Sequence, residues 1–187
     1  MTDSSQAYLH LYYSNVLLKT PPLGTELINS RKDMEMKWAT RKNMKCDRIA
    51  SAWLIRRYID PHANISYVED GEIAKLTEKG ILTFDASDAK YRHQEDTITG
   101  KYGDRCTFQI LMDEYNVSYL NPAMKYFGNI VYAADIGHRI GIFEPKEGYG
   151  FWALMNGFAI LMPDDNEKER YGFAVCDALY QYCKSIL

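Results

Sequence analysis

The sequence has no long uninterrupted apolar run, which narrows what the protein can be. The longest, "FWALMNGFAILM" from Phe151 to Met162, is broken by Asn156 and Gly157 and is too short to span a bilayer. The opening residues, "MTDSSQAYLHLYYSNVLLKT", have neither a basic start nor a continuous apolar block, so no secretory signal is read there. Charge of one sign is also scarce: 22 Lys and Arg face 25 Asp and Glu, a formal charge of -3, with no Lys/Arg run. That excludes a nucleic-acid or membrane patch as the expected partner surface. Only four cysteines occur and none forms a Cys-x-x-Cys pair, which fits neither a thiolate zinc knuckle nor a disulfide framework. Reduced thiols in a cytoplasmic protein are the expectation. No Gly-rich loop marks a nucleotide site, and no G-x-S-x-G elbow marks a serine hydrolase.

What remains is the composition of a folded domain: 187 residues, 47% hydrophobic and 25% charged, with 15 Tyr and 3 Trp. Residues 1–35 read as an arm, because "KTPPLG" stops regular structure. Such an arm would pack on the body or on a second copy, the expected route to a homo-oligomer. Residues 36–187 form the domain.

Within it, "MKWAT", "NISYV" and "ILTF" read as strands, and "CDRIASAWLIRRYID" and "GEIAKLTEKG" as the helices between them. Alternation of this kind predicts an α/β fold whose amino-terminal half is a parallel βαβαβ unit. The rest reads as helices: "CTFQILMDEY" with Asp104 or Thr107 as N-cap, "PAMKYFGNIVYAADIGHR", the apolar segment 151–162 as core, and a last helix from about Asp165. Its apolar stripe is read as Tyr171, Val175, Ala178, Leu179, Tyr182 and Ile186.

Ligands of parallel sheets bind beyond the carboxyl ends of the strands. There lie Thr40 and Arg41, Glu69 and Asp70, and Asp85, followed by a long polar loop that carries His93. Asp135 and His138, three apart on one predicted helix, would share a face. Asp85, His93, Asp135 and His138 are thus the metal candidates, with Glu69 or Glu72 as further carboxylates. Oxygen and imidazole donors without thiolate suit Zn, Mn or Fe(II). The plain alternatives are an Asp135–Arg139 pair one turn on and a solvated His93.

The helix from Cys46 to Asp60 has no polar stripe, yet holds Arg48, Arg56 and Arg57. A guanidinium among apolar neighbours needs a partner. Asp47 and Asp60 are nearby acids; the functional alternative is that Arg48 or Arg57 meets a small anionic ligand in a bidentate contact. Cys46, among Arg41, Lys42, Lys45 and Arg48, is read as either a favoured thiolate or a packed thiol.

"WATRKNMKCDRIASAWLIRRYIDP", "ILTFDA", "GDRCTF", "IVYAADI" and "VCDALYQYC", in this order from Trp38 to Lys184, resemble the chromate resistance protein family, in particular its ChrB carboxyl-terminal domain. The positions that match are Asp47, Arg48, Trp53, Arg56, Arg57 and Asp60, then Asp85, His93, Cys106, Thr107 and Phe108, and finally Asp135 and Asp177. The sequence departs from the family in a longer loop between His93 and Cys106, in Gln109 where a glutamate is expected, and in an arm where full-length members carry a regulatory domain. The resemblance implies an accessory or regulatory role in chromate resistance.

Three readings follow. The first is a metal-binding domain, with Arg48, Arg57 and Asp85 as the catalytic set if it is an enzyme that activates water or polarises an oxyanion. The second is a non-catalytic chromate- or sulfate-type oxyanion sensor. The third is an interaction module whose arginines only neutralise internal acids.

Overall fold

A strand paired on both sides and covered on both faces should bury consecutive residues rather than alternate ones. "KWATR" does so: in β1 (Lys37–Arg41) Trp38, Ala39 and Thr40 are all buried. The structure, a computed structural model, describes residues 36–95, 104–117 and 121–187. The arm predicted for residues 1–35 lies outside the described residues.

β1 pairs in parallel with β2 (Asn64–Val68) on one side and β3 (Leu82–Phe84) on the other, giving the order β2-β1-β3. The chain leaves β1 for one neighbour, then returns across it to reach the other. Right-handed crossovers in opposite directions put their helices on opposite faces, and the strand order reverses between β1 and β3. The carboxyl ends of those two strands therefore form the crevice.

Helix α1 (Cys46–Leu54) follows β1, and every one of its residues is buried. It packs against α3 (Thr107–Glu114), α4 (Pro122–Asp135), α5 (Glu147–Leu161) and α6 (Asp165–Ile186). The predicted single helix to Asp60 is instead α-helical to Leu54 and then π-helical over Ile55–Ile59, where the Asp60 amide donates to the Ile55 carbonyl at 2.7 Å. Pro61 has no amide with which to continue it. The other crossover helix, α2 (Ile73–Glu78), lies against β1 and β3, and the left-handed Gly80 (φ 79°) closes it as expected.

Aromatic rings fill the centre. Trp53 meets Phe127 at 5.0 Å between ring centroids, and Phe127 meets Phe108 at 5.5 Å. At Gly172 of α6 an added Cβ would fall 2.4 Å from Ile49 Cγ2, so only glycine allows α1 and α6 to approach this closely.

Several local expectations are corrected. The N-cap of α3 is Cys106, not Asp104 or Thr107; Asp104 and Arg105 form a strand, β5, antiparallel to β4 (Gln94–Glu95). Asp135 ends α4 and His138 lies in a separate 3-10 turn, Gly137–Ile140, so the two do not share a continuous helix. Segment 151–162 is not wholly core: Phe151 and Met155 are buried, while Leu154, Ile160 and Leu161 are exposed. In α6 the buried face is Gly172, Phe173, Cys176, Tyr180 and Cys183, and the predicted stripe is its half-exposed neighbour. Apolar residues cover so much of α5 that periodicity does not choose among its faces, while α6 carries two adjacent apolar rows that compete for the core.

Candidate functional site

The loop after β1 is held from a distance. Asp165, at the start of α6, accepts the Asn43 and Met44 amides, each at 2.9 Å, and pairs with the buried Lys168 at 2.9 Å. Burial alone would raise its carboxyl, but Lys168 and the two amides hold it below the usual carboxylate range. With the loop so fixed, the carbonyls of Lys42 and Asn43 accept from Arg48 Nη1 at 2.9 and 2.8 Å. Arg48 Nε then meets Asp85 Oδ2 at 2.8 Å in a pair whose side chains are both about nine-tenths buried.

Asp85 sits immediately past β3 with φ 51°, in the left-handed region where a non-glycine residue is uncommon and, when held there, often belongs to a functional site. Its amide donates to the Tyr91 carbonyl at 2.9 Å, while the Tyr91 amide donates to Thr83 at 3.0 Å. This tight return carries the chain back alongside β3 and places His93 beside Asp85. Asp47 enters from the first turn of α1, buried to 2% exposure. Its Oδ2 and Oδ1 accept the Thr107 and Phe108 amides at 2.8 and 2.9 Å, so it also caps α3 from across the site. Asp135 arrives as the last residue of α4.

These residues meet at one atom. His93 Nε2 lies 3.2 Å from Asp47 Oδ2, 3.1 Å from Asp135 Oδ2 and 3.5 Å from Asp85 Oδ1. A ring nitrogen carries one proton, so it cannot serve three carboxylates. The Nε2 contact to Asp47 has hydrogen-bond geometry; Asp135 Oδ2 is close enough for an ion pair but off the N–H line, and remains without a hydrogen bond. Among the described residues four buried side-chain polar atoms lack a hydrogen-bond partner. Two of them, Asp135 Oδ2 and His138 Nδ1, belong to the lining of this pocket.

The protonation states reflect the crowding. Burial disfavours an imidazolium at His93, but Asp135, Asp47 and Asp85 outweigh it and push its pKa up to about 12. Burial raises Asp47 to about 6, against the His93 contact that lowers it. For Asp85 burial also acts upward, yet His93 and the Arg48 guanidinium hold it below the usual range. The donor spacing also fits a cation. With metal–ligand bonds of about 2.1 Å, neighbouring ligand atoms stand about 3.0 Å apart in an octahedron and about 3.4 Å in a tetrahedron. Asp47, His93 and Asp135 each offer one ligand atom with all three within 4.8 Å of one another.

Of the residues singled out by sequence, His93, Asp85 and Asp135 converge, with Arg48 behind Asp85. His138 lines the same cavity and stacks on Trp152 at 5.7 Å, outside the three-residue cluster. Arg57 does not reach the cavity; it is paired with Asp177 of α6 through Nε at 3.2 Å and Nη2 at 3.0 Å. Arg56 pairs with Glu169 at 3.1 Å rather than with Asp60, whose carboxylate accepts from Trp38 Nε1. Asp135 does meet Arg139, at 3.5 Å. Glu69 and Glu72 form a capping box before α2, and Glu69 also binds Lys42 at 2.7 Å. Cys46 is packed, 3% exposed, with burial lifting its thiol to about 12, so the thiolate alternative fails. Gln109 stays local, its side chain accepting the Cys106 amide at 3.3 Å. The residue that sequence reasoning left out of the site is Asp47. Its signal was an acid in the first turn of the helix that follows the first strand.

The cavity above the cluster measures about 660 Å³ and opens at the β1/β3 switch point. Fold and site together define a mixed α/β domain with a small parallel sheet, a helical carboxyl-terminal half and a pocket at the strand ends that holds an aspartate–histidine cluster. The family described as ChrB, C-terminal domain matches residues 38–183, and the chain belongs to that family. It is 31% identical over 149 residues to Protein ChrB of Cupriavidus metallidurans, a stretch that is 79% of this chain and 41% of that protein. The chain thus spans about two-fifths of the length of that curated relative. No solved structure matches.

Proposed function

We propose that this domain binds a divalent cation through Asp47, His93 and Asp135, with Asp85 as the adjoining carboxylate, in a role related to chromate resistance. The observation that carries the reading is the single His93 Nε2 facing three carboxylates, one of which has a buried oxygen without a hydrogen bond. An imidazole and carboxylate oxygens suit Mn(II), Fe(II) or Zn(II). A bound cation would supply Lewis acidity, polarising an oxyanion or lowering the pKa of a bound water. In this reading Arg48 is a positioning residue: its Nε holds Asp85 and its Nη1 holds the loop after β1. A cytoplasmic setting is supported by four buried free cysteines; no helix among the described residues is long and apolar enough to cross a membrane.

The test is elemental analysis after dialysis against Mn(II), Fe(II) or Zn(II). Wild-type protein should retain about one equivalent of one of them, and His93→Ala and Asp135→Ala should retain none. Wild type without stoichiometric metal would sink the reading.

A second reading, a metal-free sensor of chromate- or sulfate-type oxyanions, is favoured by Lys45 and Arg92. Both are exposed, line the cavity and have no acidic partner among the described residues. It requires thermal stabilisation by sulfate in metal-free protein, lost in Lys45→Ala.

A further inference from the structure

The acidic cluster of the cavity is surrounded by a lining in which cations outnumber acids. Asp47, Asp85 and Asp135 form the buried cluster, while the five cations Arg41, Lys42, Lys45, Arg92 and Arg139 and the two acids Glu69 and Asp70 stand in the lining around it. Some of these cations are occupied: Lys42 by Glu69, Arg139 by Asp135, and Arg41 at a long 3.9 Å by Asp70. Lys45 and Arg92 have no acidic partner among the described residues, where Arg92 donates to the Ala89 carbonyl. The two cations without an acidic partner favour an anion that binds together with the metal. The size of the space adds a second constraint. About 660 Å³ lies in the range of sites for organic ligands and is many times what a bare tetraoxyanion fills. The lining also carries Trp152 and Asn156. Trp152 is held by His138 on one side and by Tyr149 at 5.8 Å, and Asn156 Nδ2 is fixed on the Trp152 carbonyl at 2.8 Å.

We infer that the ligand of this site is an organic phosphate with a planar ring, its phosphate lying between the metal cluster and Lys45 and Arg92 and its ring against Trp152. The inference rests on the metal reading above and adds the ligand class. No covalent step is implied.

The probes are inorganic phosphate and phenyl phosphate, titrated calorimetrically into protein loaded with Mn(II), with metal content measured on the same sample. Phenyl phosphate should bind about tenfold more tightly than inorganic phosphate, the contribution of one aromatic contact. Lys45→Ala with Arg92→Ala should weaken both probes, and Trp152→Leu should remove only the preference for the ring. Equal affinity for the two probes would overturn the inference in favour of a bare oxyanion. Metal retained with neither probe bound would overturn it and leave the metal reading standing. Loss of stoichiometric metal would overturn both. The exposed pair Lys45 and Arg92 keeps the test decisive should Trp152→Leu fail to fold.

Discussion

The two ends of the segment from Cys46 to Ile59 use the same residue types for different purposes. At its start Asp47 and Arg48 are buried and bind groups from four separate places: the loop after β1, the end of β3, the His93 loop and the start of α3. At its end Arg56 and Arg57 face α6 alone, pairing with Glu169 and Asp177. The Arg57 and Asp177 side chains are both nearly half exposed, whereas those of Arg48 and Asp85 are almost fully enclosed. Burial multiplies the consequence of an ion pair, because a charge left behind in the interior has no water to turn to. One end therefore determines whether the site exists, and the other only fastens two helices.

Substitutions should separate the ends widely. Asp47→Ala strands two α3 amides and removes the acceptor of His93, so a loss of about 3–5 kcal/mol in urea-unfolding stability is expected, together with loss of bound metal. A loss under about 1 kcal/mol would show that Asp47 is no keystone. Arg48→Ala should come next, at about 3 kcal/mol, since Asp85 would remain buried without its cation. Arg48→Lys should recover only part of this, because one ammonium cannot reach both Asp85 and the loop carbonyls in the fork geometry.

The same contrast governs how much was legible in the sequence. The βαβαβ unit was legible because three strand-like runs alternate with helical ones, and strand-end logic then located Asp85 and His93. Asp135 and His93 could be named together as candidate ligands, but not the geometry of their 3.1 Å contact, which depends on where α4 ends in space. Arg48 and Arg57 were indistinguishable on a helix that is apolar on nearly every side; only the tertiary partners Asp85 and Asp177, far along the chain, tell them apart. Asp47 was hidden by its neighbour, since an acid beside Arg48 reads as a local partner. The face of α5 was misjudged because an excess of apolar residues erases the period that would have phased it, and that of α6 because two apolar rows lie side by side, of which the one with Phe173, Cys176, Tyr180 and Cys183 is buried.

On the proposed metal reading, a cation and a proton would compete for His93, which makes stability depend on pH. Its folded pKa of about 12 lies above the ordinary value of 6.5. In metal-free protein its stabilising contribution is thus complete below about pH 6.5 and is lost as pH rises toward 12. The steepest loss expected from this one proton is about 1.4 kcal/mol per pH unit. Asp47, raised to about 6 from 3.8, has its own loss below that window, as pH rises through 6. A cation that replaces the His93 proton removes the alkaline loss, so metal-loaded protein should keep its stability between pH 7 and 10 while metal-free protein weakens. Parallel unfolding curves for the two forms would contradict a shared site. Metal affinity should also rise with pH, up to about tenfold per unit, measured by competition with a chelator.

The smallest effect belongs to the far end of the segment. Arg57→Ala removes a bidentate pair, but both partners reach solvent, so water replaces much of what is lost. The expected cost is about 1 kcal/mol or less, and it should shrink further at high salt. Asp177→Asn tests more than the charge, because Asp177 Oδ1 also accepts Trp53 Nε1 at 2.7 Å. The amide oxygen can keep that bond, so Asn should cost less than Ala at this position. Metal retention in Arg57→Ala should equal wild type, since no atom of Arg57 lines the cavity. A drop in metal content there would mean that the α1–α6 contact sets the position of Asp47, and the division between the two ends would have to be redrawn.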